Sequence, residues 1–151
     1  MRGGSVKKSG GQENQALGRS RGGFSTKIHA CVDALGNPLR FLLTGGQRHD
    51  ITQADDLIAA FDFERVIADR SYDADEFLSR IAENEAEAVI PPRKSRKEQR
   101  EYDHHLYKER HLIERFFNKI KHYRRLFSRL EKLDQRHLGF LSFAGALIWL
   151  R

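Results

Sequence analysis

The sequence predicts an α/β layer fold in which a mixed sheet is flanked by helices. Two observations carry that expectation. Short runs of β-forming residues alternate with stretches whose apolar side chains recur three and four apart, so strands and helices interleave. Turn or capping residues stand at almost every boundary between them. At 151 residues the chain is long enough for one domain with a real core.

Residues 1–23 are dominated by Gly, Ser, Lys, Arg and Gln without periodicity, which predicts loop; residues 1–17 read as a flexible segment and 18–151 as the domain. Phe24 to Val32 and Leu39 to Leu43 read as two strands, and Asp33-Ala34-Leu35-Gly36-Asn37-Pro38 between them has turn chemistry, so the pair is an antiparallel hairpin. Gly45-Gly46 breaks the second strand. Asp50 with Gln53 forms a capping pair for a helix over Ile51 to Phe61, whose Ile51, Ala54, Leu57, Ile58 and Phe61 share a face. Arg65 to Ala68 is a short strand that Asp69 ends. Asp73 with Glu76 is a second capping pair, opening a helix to about Glu85 with Phe77, Leu78 and Ile81 inward. Ala88 to Ile90 is another strand, closed by Pro91-Pro92. Arg93 to Arg100 is charged, lacks an apolar face and reads as an exposed connector. A long helix follows from about His104 to Leu130. Asp134 caps a last one, in which Leu138 to Leu150 is a core segment and Trp149 packs.

Charge is uneven along this order. Residues 1–48 carry eight basic and two acidic side chains, residues 49–92 three and twelve, and residues 93–136 fifteen and seven. Two basic flanks thus enclose an acidic middle, as expected if a polyanion lies over the ends while central carboxylates hold cations. A single cysteine, Cys31, excludes an internal disulfide and fits a small buried thiol. No apolar run opens the chain, and Leu138 to Leu150 is too short to span a bilayer. The histidines lack the spacing of a zinc site.

The richest stretch is Tyr107 to Lys121. At about 100° per residue, Tyr107, Arg110, Glu114 and Lys121 share one helix face. The neighbouring arc holds Leu106, Ile113, Phe116, Phe117, Ile120, Tyr123, Phe127 and Leu130, spaced as a buried stripe. A carboxylate beside two cations and a phenol at the edge of a core suits a metal ion and a phosphodiester. The same charges would also suit a solvated basic helix.

The spacing Tyr107, Arg110, Glu114, Lys121 resembles the Tyr-Arg-Glu-Lys signature of bacterial insertion-sequence DDE transposases, whose catalytic core is ribonuclease H-like. Arg65-Val66-Ile67-Ala68-Asp69-Arg70-Ser71-Tyr72-Asp73 resembles the family's second catalytic aspartate at a strand end. The segments Gly18 to Ala30 and Leu42 to Asp50 are similar to its preceding strand pair. The resemblance implies a ribonuclease H-like mixed sheet flanked by helices and lacking the first strand with its aspartate, so that residues 18–151 form a partial catalytic domain. It implies Asp69 and Glu114 as catalytic and metal ligands for Mg²⁺ or Mn²⁺. Tyr107, Arg110 and Lys121 would hold backbone phosphate, with Arg124, Arg125, Arg19 and Arg21 extending the DNA-binding surface.

The residues keep simpler readings as well. Asp69 can be a strand-end turn former, Glu114 a partner for Arg110, and Asp73 a cap. Arg124 and Arg125 can be solvated, and Arg19 and Arg21 can belong to a loop with incidental charge. Of His49 and Asp50, one can orient water or substrate, although a helix cap is the simpler account for Asp50. Asp33, in turn-like sequence, is not chosen to complete a triad.

By resemblance the expected activity is metal-dependent cleavage at transposon ends and strand transfer into target DNA. The partners are double-stranded DNA, a second subunit on DNA, and the product of a preceding overlapping reading frame that carries the first Asp. The expected place is the bacterial cytoplasm, at the nucleoid and not in a membrane, and the isolated chain is expected to be inactive. The alternative is a non-catalytic DNA-binding fragment that regulates transposition. A ribonuclease acting on RNA–DNA hybrids fits the fold but not the Tyr-Arg-Glu-Lys set.

Overall fold

The computed structural model describes residues 18–20, 23–122 and 134–150, and it is mixed α/β. Strands β1 (Gly18–Ser20), β2 (Gly23–Val32) and β3 (Pro38–Gly45) form an antiparallel sheet with β2 in the centre. The expected hairpin is β2–β3, running from Thr26 opposite Gly45 to Val32 opposite Pro38, with a bulge at Cys31/Val32. Its turn is organised by Asp33, whose Oδ1 accepts from Leu35 N at 2.9 Å and Asn37 N at 2.8 Å. Gly36 there has φ +83°, a conformation that a Cβ would strain.

Strand β1 corrects the reading of this stretch as loop: Gly18, Arg19 and Ser20 pair with Ser25, Phe24 and Gly23. Composition concealed it because the strand needs glycine for close approach. A Cβ on Gly45 would stand 3.0 Å from Gly18 Cα, so the two backbones meet where side chains would not fit.

The helix expected over Ile51 to Phe61 is shorter and irregular. A 3-10 turn at Asp50–Gln53 leads into α1 (Ala54–Ile58), and the chain turns extended at Ala59 before Ala60 takes φ +61°. The cause is Arg40 on β3. Its Nη1 donates to Asp56 O at 2.5 Å and Ala59 O at 2.7 Å, and its guanidinium lies 4.4 Å from the Phe61 ring centroid. A cation on the last carbonyls favours ending the helix there.

Strands β4 (Arg65–Ile67) and β5 (Glu87–Val89) pair in parallel, with α2 (Asp75–Glu83) as the crossover. Phe77 and Ile81 of α2 are buried as their spacing predicts. The expected long helix begins as a 3-10 segment, Leu106–Arg110, and becomes α3 at His111–Lys121. Tyr123, Phe127 and Leu130 of its stripe lie outside the described residues. The last helix is α4 (Asp134–Trp149), and the side chain of its expected cap Asp134 is likewise outside them. Only one face of α4 is core, through Leu141, Ala144 and Ile148, while Phe140, Phe143 and Trp149 face outward. Trp149 nevertheless anchors the helix, donating from Nε1 to Pro38 O at 2.9 Å.

The described strands form two sheets, β1-β2-β3 and β4-β5, rather than the single mixed sheet the sequence predicts. The packing is divided in the same way. Phe116, Ile120, Leu141, Ala144 and Ile148 close one core over Ile28, Ala30, Phe41 and Leu43 of the hairpin. Ala54, Phe77, Ile81 and Ile90 close a second one over Val66 and Ala88 of the parallel pair. No described strand bridges β2 and β4, so alternation of strands and helices could be read locally while their union into one sheet could not.

Candidate functional site

The turn that leads into the basic helix is organised by Asp103, whose Oδ1 accepts from His105 N at 2.7 Å and Leu106 N at 2.9 Å. Sequence reasoning missed this turn, though an Asp just before the apolar-periodic run was the available signal. The 3-10 geometry that follows has about three residues per turn, so Tyr107 and Arg110 eclipse one another instead of lying a helical step apart. Arg110 Cζ accordingly sits 5.7 Å from the Tyr107 ring centroid, and Tyr102 meets the same ring edge-on at 5.5 Å. Arg110 Nη2 donates to Glu114 Oε1 at 2.6 Å. Tyr107, Arg110 and Glu114 therefore form one contiguous row at the surface. Lys121 lies two turns beyond Glu114 on the exposed side, donating from Nζ to Asn118 Oδ1 at 3.3 Å. The 3-10 segment packs on β4, which sets Tyr107 and Arg110 beside the strand that leads to Asp69, while α3, which carries Glu114, packs on β2.

Asp69 follows β4 as expected and caps the next turn, a 3-10 segment at Arg70–Tyr72. Its Oδ1 accepts from Ser71 N at 2.7 Å and from Ser71 Oγ at 2.5 Å. Both proposed acids thus show the local contacts that their simpler readings require. Each also keeps a second oxygen free of these contacts.

Asp73 corrects its reading as a helix cap. The N-cap of α2 is Ala74, and the Asp73 carboxylate is buried instead under the connector. Its Oδ2 accepts from Arg93 N and from Arg96 Nε, both at 2.7 Å, and its Oδ1 lies 3.6 Å from Arg100 Nη1. Burial alone would raise this carboxyl, but the hydrogen bonds of Arg96 and Arg93 and the charges of Arg96 and Arg100 hold it below the usual range. The partners stand 20 and 23 residues along the chain, so no local pattern could reveal them.

Asp50 is not the expected cap either. Its Oδ1 lies 3.2 Å from Lys27 Nζ and 3.6 Å from His29 Nδ1, while the cap position is His49, whose carbonyl accepts from Thr52 N and Oγ1. His29 is buried, with Nε2 2.7 Å from Thr44 Oγ1. Burial lowers its pKa, opposed by Asp50 and aided by Lys27. Tyr72 stands near both Asp50 and Asp69: burial, then these two charges and that of Cys31, push its hydroxyl up.

The candidate ligands suit a divalent metal in kind, being hard oxygen donors, but not in number. Among the described residues, no three His, Cys, Asp or Glu side chains gather closely enough to hold an ion. Arg21, Arg124 and Arg125 lie outside the described residues, and of Arg19 only the strand position is described. No helix among the described residues is long and apolar enough to cross a membrane.

Comparison with known proteins matches residues 4–149 to the transposase DDE domain family. A Brucella ovis protein provisionally named as the transposase for insertion sequence element IS6501 is 46% identical over 130 residues, covering 85% of this chain and 100% of that protein. A Burkholderia cepacia protein, provisionally named as the transposase for element IS402, is 33% identical over 135 residues, covering 82% of this chain. The match spans 62% of that second relative's length. No solved structure matches the chain.

Proposed function

The chain belongs to the transposase DDE domain family, and from that premise we propose that it supplies part of a DNA transposase active centre, with Asp69 and Glu114 as two of the acids. The observation that supports this most is the row Tyr107, Arg110, Glu114, whose 3-10 part packs on the strand that leads to Asp69 and whose helix carries Lys121. Arg110 offers a planar fork and Lys121 a point charge, both suited to phosphate oxygens. Tyr107 holds the Arg110 guanidinium in place through its ring. The site needs further ligands than these two carboxylates to bind Mg²⁺ or Mn²⁺, which would supply charge stabilisation for attack on phosphorus.

The fold expectation extends this reading. A strand paired with β4 and with the stretch of β2 beyond its Gly23–Ser25 pairing to β1 would join the two sheets into one ribonuclease H-like mixed sheet and bring the missing acid. We propose a segment encoded upstream as its source, with the assembled protein acting as a dimer on DNA. The test is cleavage of duplex DNA carrying the element's ends. The chain with its upstream segment should cut in Mg²⁺ and lose that activity in Asp69→Ala or Glu114→Gln. Robust Mg²⁺-dependent cutting by the 151-residue chain alone, abolished by Asp69→Ala, would sink the claim that it is incomplete.

A non-catalytic DNA-binding role is the second reading, favoured by one observation: Asp69 and Glu114 are already engaged with Ser71 and Arg110. Under it, Asp69→Ala and Glu114→Ala leave regulation of transposition unchanged. Arg110→Ala and Lys121→Ala weaken it and flatten its salt dependence.

A further inference from the structure

A connector that only links two elements can stay solvated, yet Arg93 to Arg100 is fixed at several points although it has no apolar face. Arg93 N and Arg96 Nε both meet the buried Asp73 carboxylate, and Arg96 Nη2 also donates to Asp75 Oδ1 at 2.6 Å. Arg100 Nη2 donates to Ile90 O at 2.5 Å. Gln99 Nε2 closes the loop on Arg93 O at 3.1 Å and Arg96 O at 3.0 Å. The first residue of the connector is tied to the candidate site, since Arg93 Nη2 donates to Ser71 O at 3.2 Å and Ser71 donates to Asp69. Against this framework Lys94 and Lys97 are exposed, and neither has an ion-pair partner among the described residues.

The division of labour among the cations is the informative feature. Arg96 and Arg100 are consumed internally by Asp73, whereas Lys94 and Lys97 on the same short loop are left exposed. A surface held in its bound shape before contact loses little conformational entropy when it binds. Point cations on such a surface suit the phosphates of a polyanion, which are evenly spaced and need no base recognition.

We propose that the Arg93–Arg100 connector is a preset contact surface for the DNA backbone, with Lys94 and Lys97 as its phosphate-binding groups and Asp73 as the positioning residue that fixes its shape. This rests on the DNA-acting reading above but needs neither Asp69 nor Glu114 to be competent.

The test is titration of the full chain against a fluorescently labelled duplex of arbitrary sequence over a range of NaCl concentrations. Lys94→Ala with Lys97→Ala should weaken binding several-fold and reduce the salt slope by about two. Asp73→Asn separates shape from charge, because it adds one positive charge: charge alone predicts equal or tighter binding, whereas the preset surface predicts several-fold weaker binding. Arg96→Lys keeps the charge, loses the reach to both Asp73 and Asp75, and should also weaken binding. It serves if Asp73→Asn does not fold, which circular dichroism reports. Wild-type affinity and slope in the double lysine variant would overturn the surface. Equal or tighter binding by folded Asp73→Asn and Arg96→Lys would overturn the positioning role. If Arg110→Ala and Lys121→Ala weaken binding while the lysine pair does not, the proposed function stands and this surface falls; if wild type binds no duplex, both fall.

Discussion

Glu114 accepts from Arg110 across one helical turn at 2.6 Å, so the carboxylate proposed as an acid is already paired with the cation proposed to hold phosphate. The two roles compete. Under the proposed function, phosphate engaging Arg110 would release Glu114 toward other partners and so couple DNA contact to the availability of the acid. An exposed pair of this kind contributes only about 0.3–0.5 kcal/mol. Glu114→Gln should therefore leave thermal stability nearly unchanged and tighten duplex binding slightly, while reducing cleavage by the assembled transposase to background. A large loss of stability or of DNA affinity in Glu114→Gln would contradict the exposed, competing arrangement.

The buried carboxylate of Asp73 should dominate acid sensitivity in its half of the molecule. Its folded pKa lies below the ordinary 3.8, so its contribution is complete above that value and is lost as pH falls through the folded one. Removing one partner of a buried charge cluster costs roughly 3 kcal/mol, because the others are left without compensation. Asp73→Asn should lower the urea midpoint at neutral pH and flatten the stability curve at its acid end. Unchanged unfolding at both pH values would show that the connector is not held by this carboxylate.

His29 predicts a second pH effect in a higher window. Burial lowers its pKa from 6.5 in spite of Asp50, and Thr44 and Lys27 are the other polar groups facing it. The unfolded chain therefore takes up a proton first. Stability should be full above pH ~6.5 and decline as pH falls through that value toward the lower folded one. Thermal melts between pH ~7 and ~5 should show the decline in wild type and lose most of it in His29→Asn.

Arg40 shows why a basic residue in a strand can matter more than its charge. It closes α1 by donating to Asp56 O and Ala59 O and covers the Phe61 ring. Lysine cannot reproduce a planar fork that also stacks. Arg40→Lys should cost about 1–2 kcal/mol in denaturant unfolding, from the lost carbonyl and ring contacts. A cost near zero would place the end of α1 under the control of backbone strain at Ala60 instead.

Local signals in the sequence determined much of the molecule. The β2–β3 hairpin and its Asp33 turn, the β4–α2–β5 unit, the buried faces of α2 and α3, and the spacing of Tyr107, Arg110, Glu114 and Lys121 all depend on neighbours within a few residues. Tertiary structure decided the rest, because the deciding partners are remote. Asp73 and Asp50 both looked like caps by the residue three positions on, yet one is claimed by arginines of the connector and the other by Lys27 and His29 on β2. Strand β1 pairs with β2 where Gly18 comes close to Gly45, and α1 ends where Arg40 reaches it from β3. Whether strands join one sheet or two is likewise set by hydrogen bonds between distant segments. Periodicity reports which face of an element is buried, but not which element, nor which charge, will meet it.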